Sequence, residues 1–165
     1  MRFLLKPFIV LCLALWLTAC ATGPKLVVHT FSFSGWFDKW AEQVDLLEYS
    51  YGDQYHMVRR KAKPDEQTLG YSAGVSGAMP VGDFLHVKWR IKDTGEVFED
   101  KVDLRKSLPA NMFEHEVTFV IDGKQLYVYL VTPKAKRQTD QPLLKTTASR
   151  YRVTYEIYPH NTYKP

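Results

Sequence analysis

The chain has 165 residues, 45% apolar and 14% aromatic, which places it among folded globular proteins and excludes a disordered or low-complexity chain. Its formal charge is +4, but Arg2 and Lys6 supply two of those charges from an N-terminal segment, leaving residues 20–165 with +2. So weak a positive balance excludes the strongly basic footprint of a nucleic-acid binder.

The N-terminal segment has three parts. Arg2 and Lys6 form a positive start, Phe8 to Leu17 is an almost uninterrupted apolar run, and small residues precede Cys20. A secretory signal has this form. The run is shorter than the roughly 20 residues that a spanning helix needs, and Pro7 and Gly23 flank it. Leu17-Thr18-Ala19-Cys20 resembles the lipobox of bacterial lipoproteins. The resemblance implies cleavage before Cys20 and acylation of its thiol and amine. Ala21, rather than aspartate, follows, which by resemblance to sorted lipoproteins implies the periplasmic face of the outer membrane. The expected organisation is a signal peptide over 1–19, a lipidated tether over 20–24 and one domain over 25–165. Cys12 would leave with the signal, so the domain would hold neither a free thiol nor a disulfide. Small domains in oxidising compartments usually carry disulfides; this one would be held by burial alone.

Lys25 to Phe33 is rich in β-branched and aromatic residues and predicts a first strand. Phe37, Trp40, Ala41, Val44 and Leu47 then fall on one face at helical spacing, predicting a short helix capped by Ser34, with an irregular excursion as the alternative. Leu46 to Tyr51 predicts a second strand. The basic run Arg59-Arg60-Lys61-Ala62-Lys63-Pro64 predicts a mobile surface loop, and Tyr71 to Val75 a short strand loosened by Gly74 and Gly77. From Phe84 to Lys92, apolar Leu85, Val87, Trp89 and Ile91 alternate with cationic or histidine side chains. Asp93-Thr94-Gly95 turns the chain and Val97 to Leu104 returns, a β-hairpin. A second hairpin has Val117, Phe119 and Ile121 inward, Asp122-Gly123 at the turn, and Leu126, Val128 and Leu130 on the return. Thr132 to Leu144 reads as an exposed loop and Arg150 to Tyr158 as the last strand. The sum is an all-β domain: an antiparallel β-sandwich or small barrel of seven to eight strands with at most one short helix.

Catalytic patterns are thin. Asp93-Thr94-Gly95 matches the aspartic-protease triplet in letters, but those enzymes need two carboxylates sharing a proton, and Asp, Thr and Gly are good turn residues. Gly74-Val75-Ser76-Gly77 lacks the full nucleophile-elbow spacing. The five histidines are widely separated, and Glu114-His115-Glu116 has no second histidine at fixed spacing, so no metal site is expected. No cofactor is expected either, and the chain reads as a non-enzyme. Of the ten tyrosines, Tyr127 and Tyr129 share one face of a strand, and Tyr151 and Tyr155 one face of another. Most would pack in the sheets; a displayed tyrosine face would be a protein-binding surface instead.

Glu48-Tyr49-Ser50-Tyr51-Gly52 and Phe84 to Pro109, with the lipobox, resemble small proteobacterial lipoproteins. Some of that group look like neighbours of type VI secretion effectors, which implies an immunity role. The expectation is a lipid-anchored binding protein that blocks a periplasmic toxin or effector by occlusion, membrane-bound through Cys20. Arg59, Arg60 and Lys61 would make the electrostatic contacts, and Tyr127 and Tyr129 the aromatic anchors. The alternative expectation is a structural lipoprotein of an envelope or secretion assembly.

Overall fold

A computed structural model describes residues 23–140 and 142–164. The expected signal peptide and Cys20 lie outside the described residues. Among the described residues nine strands form two open sheets: β1 (Leu26–Ser34), β2 (Val44–Tyr51), β3 (Arg59–Lys61), β4 (Ser72–Pro80), β5 (Phe84–Ile91), β6 (Val97–Asp103), β7 (Glu116–Asp122), β8 (Gln125–Ala135) and β9 (Arg152–Tyr158). One sheet runs β4-β1-β7-β8-β9 and the other β3-β2-β5-β6. The sheets do not close on each other, so the fold is a sandwich and not a barrel. All neighbours pair antiparallel except β1 and β7, which run parallel from Thr30/Glu116 to Ser32/Thr118.

Both expected hairpins form. Trp89 pairs with Phe98 across β5–β6, and Val117 with Leu130 across β7–β8. Gly95 and Gly123 supply the left-handed turn conformations, at φ 72° and 56°. The inner faces meet in an aromatic core. Phe33 lies 4.7 Å from Phe119, and Phe31 stacks on Tyr51 at 5.1 Å. Two buried polar links tie the layers. Trp89 Nε1 donates to the Gly123 carbonyl at 2.9 Å, and the Tyr51 hydroxyl meets His29 Nε2 at 3.2 Å. At the rim, Tyr158 of β9 donates to Asp100 of β6 at 2.6 Å.

Three expectations need correction. The stripe from Phe37 to Leu47 forms no helix. Trp40 and Ala41 donate their N–H groups to the Gly35 carbonyl, but Lys39 takes a positive φ of 64° and ends the turn. Trp40 swings into the core while Phe37 stays exposed, and β2 begins at Val44. A Cβ on Gly35 would lie 2.9 Å from the Trp40 ring, so the missing side chain is what admits the indole. A bulge at Leu47 then re-phases β2, placing both Leu46 and Tyr49 inward.

The basic run is not a mobile loop. Arg59–Lys61 is an edge strand paired with Ser50–Glu48, pinned by buried Val58 before it and buried Leu69 after it. The short strand expected at Tyr71–Val75 is nine residues long and pairs with β1 along its whole length, from Ser34/Ser72 to Leu26/Pro80. Its small side chains do not interrupt the ladder, because pairing uses the backbone.

Candidate functional site

The first candidate is the cationic edge. All three side chains of β3 are exposed. Arg60 pairs with Glu66 at 2.5 Å and Lys61 with Glu48 at 3.5 Å, while Arg59 reaches only the Asp53 carbonyl, at 3.3 Å. Arg59 is therefore the basic residue of this strand with no carboxylate within ion-pair distance among the described residues. Most cations on the rest of that sheet's outer face are paired, while Lys101 lies over the Phe84 ring at 4.0 Å. His86 and Lys88 both meet Glu99, at 2.8 and 2.9 Å, and Arg90 meets Asp45 at 2.8 Å. The hydrogen bonds from Lys88 and His86 lower the pKa of Glu99, and that same bond with Glu99 raises Lys88. On β3 itself, Arg60 and Lys61 are paired and Arg59 is the cation left to meet another molecule.

The second candidate, the tyrosine pair, divides. Tyr127 and Tyr129 do share the outer face of β8, stacked at 6.5 Å and 8°. Tyr129 is completely buried, so it cannot anchor a partner, which corrects the expected role. Its hydroxyl lies buried beside the Lys145 backbone, and burial pushes its pKa up, partly offset by that backbone group. Tyr127 is half-buried, with Lys145 Nζ 5.1 Å above its ring and that amine paired to Asp122 at 2.6 Å. The cover is the segment between β8 and β9, expected as a plain loop. It lays a 3-10 turn, Thr147–Arg150, over the sheet. Thr146 caps this turn, Thr147 N–H donates to Asp38 at 2.6 Å, and Lys136 Nζ reaches the Ser149 carbonyl at 2.8 Å. The capping threonine was the available sequence signal.

Where this strap meets the turn after β1, a cleft of about 220 Å³ opens, lined by Ser32, Phe37, Asp38, Glu116, Thr147 and Tyr151 among others. Sequence reasoning did not find it. Both oxygens of Glu116 are engaged, one by the Ser32 hydroxyl and the other by Arg152. Asp38 has its pKa raised by burial, partly offset by the hydrogen bonds from Thr147. The cleft is smaller than ordinary ligand sites of about 300–1,000 Å³. Ser32 is committed to a carboxylate that also holds an arginine, which leaves it a poorly activated nucleophile.

The remaining motifs settle into structure. Asp93-Thr94-Gly95 is the exposed tip of the β5–β6 hairpin, closed by Gly95 N–H donating to the Ile91 carbonyl at 2.8 Å. Gly74-Val75-Ser76-Gly77 lies within β4. His115 donates to its local Phe113 carbonyl at 2.9 Å while Glu116 turns into the cleft. Among the described residues no three His, Cys, Asp or Glu side chains gather as a metal site, and no helix is long and apolar enough to cross a membrane. The chain matches no protein-family model, no curated protein and no solved structure.

Proposed function

We propose that the chain is a lipid-anchored, periplasm-facing binding protein that blocks a toxin or effector by occlusion. Acylated Cys20 is the anchor, and Arg59, Arg60 and Lys61 form the electrostatic part of the contact. The observation that carries this reading is the cationic β3 edge, three exposed basic side chains fixed on a strand, of which Arg60 and Lys61 hold Glu66 and Glu48 while Arg59 has no carboxylate partner among the described residues. Occlusion needs a rigid scaffold and a surface patch, not an acid–base constellation. A fixed cationic strip speeds encounter with an acidic partner and orients it. Tyr127 lies on the outer face of β8, in the other sheet from β3, and carries at most a rim contact; Tyr129 is withdrawn from the site.

Two measurements test it. Cys20→Ser should move the protein out of the membrane fraction; a variant processed and fractionated like the wild type removes the anchor. For the binding role, a partner co-purified from solubilised envelopes is titrated with wild type and with Arg59→Glu/Arg60→Glu at low and high salt. The expected result is slower association for the variant and steep salt dependence for the wild type. Salt-insensitive, unchanged association takes β3 out of the site, and hydrolytic turnover by the purified protein replaces the binding reading altogether.

A further inference from the structure

Among the described residues each sheet edge is defended except one. β3 is three residues long and wholly cationic, and β6 carries Glu99, Asp100, Lys101 and Asp103. β9 carries Arg152 and Glu156, and the chain after it folds back so that the Thr162 N–H and hydroxyl donate to the Glu156 carbonyl at 2.8 and 3.0 Å. Short length, charge and cover are the usual means by which sheets avoid pairing with other chains. β4 has none of them: nine residues, no charge, and β1 as its single neighbour among the described residues.

Two hydrogen bonds fix which way its backbone points. Gly35 N–H donates to the Tyr71 carbonyl at 2.6 Å, and Thr30 N–H donates away from β4, to the His115 carbonyl at 2.9 Å. The antiparallel alternation then directs the backbone groups of Ala73, Val75 and Gly77 at β1 and those of Ser72, Gly74, Ser76 and Ala78 outward. These last four residues are exposed, and among the described residues no hydrogen bond reaches their N–H or carbonyl groups.

We propose that β4 is a dimer seam: the β4 strands of two copies pair antiparallel about a twofold axis at Val75, joining two five-stranded sheets into one. The occupant is a second copy because the edge is complementary to itself. Centring the axis on Val75 sets Ser72 opposite Ala78 and Gly74 opposite Ser76, each twice, so all four outward residues of both strands find partners. The side chains at the hydrogen-bonded pairs are Ser, Gly and Ala, and on the axis Val75 meets only its own copy. The strand's neutrality matters most, since two identical chains bring identical charges to a seam, and here they bring none. The proposal stands apart from the inhibitor reading and uses a different edge.

The test uses the mature protein extracted from envelopes in mild detergent, with its protein mass measured by native mass spectrometry. The wild type is expected at the mass of two copies. Val75→Cys sits at a non-hydrogen-bonded pair on the axis, where Cα atoms approach to about 4.5 Å, within disulfide range. It should give a disulfide-linked dimer on non-reducing gels, above the wild-type baseline, and Lys124→Cys should not. Ser76→Pro removes an N–H that points away from β1, so the fold's own ladder is intact. Its mass should fall to one copy while the cooperative melt persists. If that variant misfolds, Ser76→Lys places a cation on each side of the axis and should split the dimer. A wild type at one-copy mass without a Val75→Cys crosslink overturns the proposal. So does a dimer that survives both Ser76 substitutions, or a Val75→Cys crosslink to a different protein.

Discussion

Trp89→Ala measures how firmly the two layers are joined. The ring is 1% exposed, stacks on Phe98 at 5.9 Å and reaches the β7–β8 turn through the 2.9 Å bond to the Gly123 carbonyl. A buried tryptophan removes up to about 250 Å² from water, worth about 6 kcal/mol at about 25 cal/mol per Å². Unfolded chains already hide roughly a tenth to four tenths of that area, which brings the figure to about 4–5 kcal/mol, and alanine keeps a small share. The Gly123 carbonyl loses its donor, adding about 1 kcal/mol if water does not replace it. The expected loss is about 3–5 kcal/mol, in line with other aromatic-to-alanine changes in cores. Urea unfolding followed by far-UV circular dichroism reads it directly, as a lower midpoint at unchanged slope. In a domain of this size each kcal/mol lowers the melting temperature by roughly 2–4 °C. Trp36→Ala is the internal contrast: that indole is 60% exposed and touches Tyr71 edge-on at 5.3 Å, so it should cost under about 1 kcal/mol. A loss below about 1 kcal/mol for Trp89→Ala would place the ring at the surface and shift β5 by one residue, refuting the inward row Leu85-Val87-Trp89.

Three further outcomes follow from buried contacts. Gly82→Ala would set a Cβ 2.7 Å from the Tyr51 ring, so thermal melts should show a destabilisation of about 1–3 kcal/mol. Tyr129→Phe removes a hydroxyl that is buried with only a marginal contact to the Lys145 backbone, so it should change stability by no more than about 1 kcal/mol, and partner association should not change. His29 donates through Nδ1 to the Val27 carbonyl at 2.8 Å, and burial lowers its pKa from 6.5. Below pH 6.5 the unfolded chain takes a proton that the folded chain refuses, so this contribution to stability is full above that pH and declines as pH falls toward the depressed folded value. Denaturant titrations across that window should show a smaller decline for His29→Gln; an equal decline would assign the acid sensitivity to other groups.

The two hairpins were legible because their signals are local. Alternation along Phe84–Ile91 sets one face, and Asp-Gly at Asp122-Gly123 sets the turn. The other elements depend on contacts that no window contains. The helical stripe from Phe37 to Leu47 is an accident of spacing: Trp40 is buried because Gly35 admits its ring, not because a helix presents it. β4 has almost no hydrophobic pattern to read, since its pairing is carried by backbone groups against β1. β3 hides behind its own charge, which marks exposure but says nothing about strand or loop. The Asp38–Glu116 cleft joins residues far apart in the chain, brought together by the parallel β1–β7 pair and by Thr147.

The buried Tyr129 shows where a signal existed and was diluted. In β7 every residue from Val117 to Ile121 is buried, a continuous run rather than an alternation, and β8 is buried from Val128 to Val131. Such runs belong to strands covered on both faces. Once both faces of β7 and β8 are covered, something must cross the outer one. The polar segment after β8 is the one that does, through the Thr147 N–H to Asp38 and the half-buried Lys145–Tyr127 contact. Polar sequence is therefore no sign of an idle loop here: its backbone meets Asp38, and its apolar contribution is small because the sheet supplies the apolar side. The strap covers the β7-β8-β9 side and stops at the β1 turn, beyond which the outer face carries the exposed or half-buried Thr30, Ser32, Gly74 and Ser76. The two ends of this sheet therefore differ: the β7-β8-β9 end is covered by the strap, and the β4 end stays bare among the described residues.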